Sequence, residues 1–232
     1  MVSIILPTYN ESENITDMIN GLYRHVDRPL EVIVVDDDSP DGTWKIVQEM
    51  ENPGIKVVRR TDTRGLATAI KRGLKEAQGD IVGWMDADMC MPPSVLPGML
   101  ASLEEFDIAI GSRYAPGGKD ARGFFRVLTS RVINSFAILL LGADVKDYDS
   151  GFIVLKKKVL DKVAFPSAGY GDYFIELIYK SKKAGFRIKE VPYTFTDREK
   201  GESKTAPNIL EFFRLGTGYL LRILRLRFSA GK

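Results

Sequence analysis

The chain has 232 residues, 44% of them hydrophobic and 28% charged, with 33 Lys and Arg against 31 Asp and Glu. That is enough length for one large domain with a sizeable core, too much apolar content for disorder, and too small a net charge, +2, to argue for nucleic acid. One cysteine, Cys90, and one histidine, His25, exclude an internal disulfide and a Cys/His zinc site, so a metal here must be held by oxygen ligands, which favours Mg²⁺ or Mn²⁺.

The opening MVSIILPTYNESEN has no basic leader and no small-residue cleavage site, and it reads as a first strand over residues 2–7. A helix follows over residues 12–24, with Ser12 or Asn10 as its cap. EVIVVD (31–36) predicts a second strand, and a helix begins near Asp41. IKVVRR predicts a third strand, and GLATAIKRGLKEAQGD a helix that closes on Gly79. IVGWMD is a fourth strand and DIAIGSR (107–113) a fifth. Continuous Ile/Val runs alternating with helical patterns predict an α/β fold, a mostly parallel central sheet with helices on both faces. Ligands of such sheets bind beyond the carboxyl ends of the strands. Those ends carry Pro7 to Glu11, Asp36 to Asp38, Asp86 to Asp88 and Gly111 to Arg113, which predicts one cleft.

The second half is less regular. GGKDARGFFR is a Gly-rich basic loop leading into a helix over residues 122–141, DYDSGFIVLKKKVL gives a turn, a strand and a short helix, GDYFIELIYKSKKAG a helix, and FRIKEVPYTF a strand. TDREKGESKT (196–205) is a polar loop. Residues 208–232 form an amphipathic helix with five cations against one acid, Glu211. No uninterrupted run reaches the roughly 18 to 20 apolar residues that span a bilayer. The chain therefore divides into an α/β domain, 1–205, and an amphipathic segment suited to a membrane interface, 206–232.

Two aspartates one residue apart, beyond a buried strand, suit a divalent cation bridging a diphosphate, because such a cation takes hard oxygens from one or two carboxylates and from the phosphates. On the helix after the basic loop, Arg126 and Ser130 stand four residues apart and share a face, with Arg131 as the competing arginine. An arginine fork beside a hydroxyl, with Arg113 at the end of the fifth strand, suits a phosphate monoester.

The pieces LPTYNE, VVDDDSPDGT, RGLATAIKRGL, DADM, GSRY, DSGF and DREKGESK, in that order along residues 1 to about 205, resemble the family 2 glycosyltransferases of the GT-A (Rossmann-like) fold. PTYNE, DDDSPDGT and GESK together are similar to the polyprenyl-phosphate (dolichol-phosphate) mannose synthases of that family. The resemblance implies that Pro7, Tyr9, Glu11, Val34 and Asp36 surround the nucleoside of a sugar nucleotide, GDP-mannose in the first place. It implies that Asp86, Ala87 and Asp88 hold the metal and the diphosphate, with Asp88 the direct ligand, and that Arg198 and Lys204 close over the diphosphate. Arg113, Arg126 and Ser130 would grip the phosphate of a polyprenyl (dolichyl) acceptor, and the sugar would pass with inversion. Asp147, Asp149 and the SGF that follows would belong to the acceptor-side wall, without a specific role. Where relatives carry a glutamine that helps hold the cation, this chain has Cys90, a poor Mg²⁺ ligand as a neutral thiol. A peripheral place on the cytoplasmic side of a membrane and a transmembrane partner subunit follow from the same resemblance, and nucleic acid is no partner. The alternatives are transfer from UDP-glucose to the same lipid class, or a non-catalytic subunit that binds sugar nucleotides.

Overall fold

The computed structural model describes the backbone of residues 1–198 and 209–229 and the side chains of residues 1–198 and 216–228. The first half alternates β1 (Val2–Thr8), α1 (Ile15–His25), β2 (Leu30–Asp36), α2 (Thr43–Gln48), β3 (Ile55–Arg59), α3 (Leu66–Glu76) and β4 (Ile81–Trp84). Then come α4 (Leu96–Ser102), β5 (Ile108–Ser112), the two-residue β6 (Lys119–Asp120), α5 (Phe124–Leu141), β7 (Ile153–Lys156), α6 (Lys158–Lys162), α7 (Asp172–Lys183), β8 (Ile188–Pro192), β9 (Thr194–Phe195) and α8 (Ile209–Ser229).

A seven-stranded sheet runs β3–β2–β1–β4–β7–β5–β8. All its pairings are parallel except those of β7, which is antiparallel to β4 and to β5. The expected mostly parallel sheet is therefore present, and it is covered on both sides. On one face Ile4, Leu6, Val32 and Val34 pack with Ile15, Met18, Ile19 and Leu22 of α1 and with Leu96 and Met99 of α4. On the other, Ile5, Ile33, Trp84 and Ile153 pack with Ile70 of α3, Ala137 of α5, and Phe174 and Leu177 of α7. Adjacent β1 residues point to opposite faces, and both faces are apolar, which is why the strand reads as an unbroken run. The C-terminal helix α8 lies against α5 and α7, with Ile223 wholly buried in the second cluster.

Three local expectations are corrected. Helix α1 starts at Ile15 with Asn14 before it, and neither Ser12 nor Asn10 caps it. Asn10 sits at φ +55°, its N–H donates to Ser39 Oγ (3.0 Å), and the Ser12 N–H donates to Asp41 Oδ2 (3.0 Å), so this segment is tied to the loop after β2. Helix α3 ends at Glu76 with Ala77 as its cap. Gly79 instead permits a close turn: its N–H donates to Ser3 Oγ (2.8 Å), and a Cβ there would stand 2.7 Å from the Met1 carbonyl. The strand read from FRIKEVPYTF breaks after Pro192, and β9 leaves the main sheet to pair with β6.

Candidate active site

The carboxyl ends of β1, β4 and β5 open on a cavity of about 530 Å³. Trp84, Ile153 and Ile110 form one row across β4, β7 and β5. Because β7 runs the other way, the turn that leads into it, Asp147 to Gly151, arrives at this same edge of the sheet. Pro7, Tyr9, Glu11, Asp86, Ala87, Asp88, Arg113, Arg126, Ser130 and Arg198 all line the cavity.

At one end, the Glu11 N–H donates to Thr43 Oγ1 (2.9 Å), and Glu11 Oε2 accepts from Asn14 Nδ2 (3.1 Å). The Tyr9 ring lies under the guanidinium of Arg64, 4.7 Å from its centroid, and Arg64 Nη1 donates to the Tyr9 hydroxyl (3.2 Å). Asp37 fixes the neighbouring wall: it accepts from Arg60 Nε (2.7 Å) and from the Gly65 N–H (2.8 Å). Val34 and Asp36, expected around a nucleoside, do not line the cavity. Val34 points into the core beneath α1, and both residues are wholly buried. Asp36 spends its carboxylate on Thr8 Oγ1 (2.7 Å), Ser39 Oγ (2.6 Å) and the Ser39 N–H (2.8 Å), which fixes the turn at Asp38. That turn carries φ +58° at Asp38.

On the floor, Asp88 is buried. Its Oδ1 accepts the Cys90 N–H (3.1 Å) and its Oδ2 accepts Arg198 Nη2 (2.8 Å), while Arg198 Nη1 lies 3.5 Å from Glu11 Oε1. Lys204 lies outside the described residues. Among the described residues, no group of three His, Cys, Asp or Glu gathers as a ready-made metal cage. Burial, then the charge of Asp88, pushes the Cys90 thiol well up, so it stays a neutral thiol and no ligand for a hard cation. Asp86 and Asp88 both line the cavity, and their hard carboxylate oxygens are of the type that Mg²⁺ or Mn²⁺ takes.

The other end is basic. Arg113 is 4% exposed and bidentate on Asp147, with Nε to Oδ2 at 2.8 Å and Nη2 to Oδ1 at 2.6 Å. Nη2 also donates to the Asp149 carbonyl (2.8 Å). Burial works against its charge, but Asp147 and then Asp149 outweigh that, and its pKa rises well above the usual arginine value. Ser130 is held by Arg122, not by Arg126: Arg122 Nη2 donates to Ser130 Oγ (2.8 Å) and to Asp120 Oδ2 (2.7 Å). Arg126 lines the cavity, is half-exposed and pairs with Asp197 (2.9 Å). Arg131, one position round the helix, is exposed and does not line the cavity.

Asp149, expected only as part of the acceptor-side wall, lines the cavity because β7 is reversed, which no local pattern announces. Arg122 and Tyr219 are among the further lining residues that escape the sequence reading. Arg122 stands in the basic loop GGKDARGFFR, so its signal is present. Tyr219 reads in sequence as one more apolar position of an amphipathic helix.

Glycosyl transferase family 2 is the family whose model matches the chain, over residues 3–164. Among curated relatives, the dolichol-phosphate mannosyltransferase of Pyrococcus furiosus is 41% identical over 225 residues, 92% of this chain. The chain spans 62% of that protein's length. The polyprenol monophosphomannose synthase of Mycolicibacterium smegmatis is 36% identical over 90% of this chain and 82% of its own. The undecaprenyl-phosphate mannosyltransferase of Micrococcus luteus is 36% identical over 90% of this chain and 89% of its own. Among solved structures, glucosyl-3-phosphoglycerate synthase from Mycobacterium tuberculosis, in complex with Mn²⁺, UDP and glucosyl-3-phosphoglycerate, superposes with a TM-score of 0.72. It covers 98% of this chain and 80% of that one at 22% identity, a likeness of GT-A fold alone. The sheet with its one reversed strand, the cleft at the strand ends and these matches agree that the chain belongs to glycosyl transferase family 2.

Proposed function

We propose that the chain transfers mannose from GDP-mannose to a polyprenyl (dolichyl) monophosphate, with inversion, at the cytoplasmic face of a membrane and with Mg²⁺ or Mn²⁺. The observation that carries this is a single cavity with carboxylates in one part and arginines in another. Asp86 and Asp88 lie on its floor, and Arg113, Arg122 and Arg126 lie at its acceptor end. The names of the relatives point to the same substrate pair.

When bound, the cation supplies positive charge to the diphosphate leaving group. Asp86 and Asp88 would hold it, and Glu11 and Tyr9 would bound the nucleoside. Arg198 reaches Asp88 in this structure, so it is within range of charge developing on the departing diphosphate. Arg113 and Arg122, each fixed by aspartates, would hold the acceptor phosphate so that one of its oxygens faces the anomeric carbon. That oxygen is already negative at neutral pH, so the step needs alignment and charge relief and no strong general base. Attack from the side opposite the diphosphate inverts the centre.

The membrane reading rests on α5. Phe124, Phe125, Leu128, Val132 and Leu139 are exposed, Phe125 by 79%, and they fall within an arc of about 100° on that helix. Phe124–Leu141 is long and apolar enough to cross a membrane by length and composition, and 28% of it is buried in the protein. An apolar stripe turned to solvent at the mouth of the acceptor end suits a surface where a lipid acceptor resides.

The test is incubation with lipid vesicles, a polyprenyl phosphate, Mg²⁺ or Mn²⁺, and a panel of labelled sugar nucleotides. Mannosyl lipid from GDP-mannose alone is the expected product. Glucosyl lipid from UDP-glucose would replace the donor assignment, and no product with no nucleotide bound would overturn the enzyme.

A further inference from the structure

Five arginines line the cavity among the described residues, and four of them are paired with carboxylates: Arg113 with Asp147, Arg122 with Asp120, Arg126 with Asp197 and Arg198 with Asp88. Arg64 is the exception. Its guanidinium rests over the Tyr9 ring, 4.7 Å from the centroid, and Nη1 donates to the Tyr9 hydroxyl (3.2 Å). Nε and Nη2 donate to no protein group among the described residues, so one two-pronged edge of the fork has no acceptor.

The backbone beside this side chain is fixed. The Gly65 N–H donates to Asp37 Oδ2 (2.8 Å), and the Gly65 carbonyl accepts from Arg60 Nη2 (3.1 Å) and from Thr68 Oγ1 (2.8 Å). Gly65 stands at φ +134°, a conformation that suits glycine. Arg64 itself is exposed. An exposed guanidinium on an anchored backbone, laid flat on an aromatic ring, is held ready for a ligand and supports no core.

The carboxylates at this end of the cavity are already engaged. Asp37 holds Arg60 and the Gly65 N–H, while Glu11 accepts from Asn14 and lies beside Arg198. The group left to read a planar ligand is therefore the Nε and Nη2 edge of Arg64. Two parallel N–H donors match the N7 and O6 acceptors that guanine presents on one edge. The corresponding edge of uracil has one acceptor, O4, beside a C–H.

We propose that Arg64 selects guanine in the donor nucleotide: Nε and Nη2 donate to N7 and O6 of the base while the guanidinium stays on Tyr9. The inference deepens the donor assignment above and rests on it.

The test is calorimetric binding of GDP, 7-deaza-GDP and UDP, each with Mg²⁺, to the wild type, Arg64→Ala and Arg64→Lys. In 7-deaza-GDP a C–H replaces N7. The wild type should hold GDP about tenfold tighter than 7-deaza-GDP, the loss of one hydrogen bond to a charged group. Arg64→Ala should weaken GDP by about tenfold or more and UDP by less than about threefold, and should bring GDP and 7-deaza-GDP to about the same affinity. Arg64→Lys keeps the charge but not the fork, so GDP should stay at least about fivefold weaker than in the wild type. Arg64 is exposed and in no ion pair among the described residues, so both variants should keep the wild-type melting temperature. An equal loss of all three nucleotides in Arg64→Ala would mean attraction to the diphosphate and overturns the base contact. So does a wild type indifferent to N7, or full recovery in Arg64→Lys. A wild type that holds UDP at least as tightly as GDP overturns the donor assignment itself.

Discussion

Arg113 shows how a buried cation is made tolerable. Its guanidinium is taken by both oxygens of Asp147 and by the Asp149 carbonyl, and removing one partner of such a pair leaves an uncompensated buried charge. Asp147→Asn should destabilise the protein by roughly 3 to 5 kcal/mol in urea unfolding. Asp88→Ala, at the other end of the cavity, removes a partner of Arg198 and a ligand of the proposed cation. Mannosyl transfer should fall by more than about 100-fold with a melting shift of only a few degrees. Full activity in that variant would remove the metal assignment. Asp149 is the group whose folded pKa, about 6, stands above its ordinary 3.8. Between those values the native state binds more protons than the unfolded chain, so this group makes stability fall as pH rises. Asp149→Asn should therefore be more stabilising at pH 8 than at pH 4, by up to roughly 3 kcal/mol, read from urea midpoints at the two pH values.

At the scale of elements, backbone packs closely where β4 meets its reversed neighbour. A Cβ on Gly83 would stand 2.6 Å from the Ile153 carbonyl and 2.7 Å from Val154 Cγ1. A backbone carbonyl in a sheet cannot yield as a side-chain tip does. Gly83→Ala should cost roughly 2 to 3 kcal/mol in the same unfolding experiment. Much of the element order is legible in the sequence, because β1, β2 and β4 are buried on both faces and so appear as unbroken apolar runs. Asp86, Ala87, Asp88 and Arg113 are legible for the same reason, since they directly follow such runs. What local pattern cannot supply is direction and partner. Nothing in DSGFIVLK says that β7 runs backwards, so Asp149 has no role readable there. Nothing near Ser130 says that its partner is Arg122, eight residues upstream, because a turn before a helix can fold back over it. Val34 and Asp36, which the resemblance put around a nucleoside, lie wholly buried and off the cavity lining, since Val34 faces the core and Asp36 anchors the turn after β2.

At the scale of the whole molecule, the proposed membrane contact and the cavity are carried by different residues. The exposed apolar stripe lies on α5, the helix that also carries Arg126 and Ser130 of the cavity, and Leu221 and Phe228 are exposed on α8, which packs against it. Replacing Phe124 and Phe125 together with Asp should lower vesicle affinity by tenfold or more in a flotation assay, on the transfer value of about 1.5 to 3 kcal/mol for each large side chain. Nucleotide binding should stay unchanged, because neither ring lines the cavity. The reversed strand has a further consequence. Since β7 alone separates β4 from β5, the carboxylate floor and the arginine end are held two strand spacings apart, about 10 Å. That interval is written in main-chain hydrogen bonds and not in side chains. Substitutions at either end can change which sugar or which phosphate is gripped, while the gauge between them stays fixed.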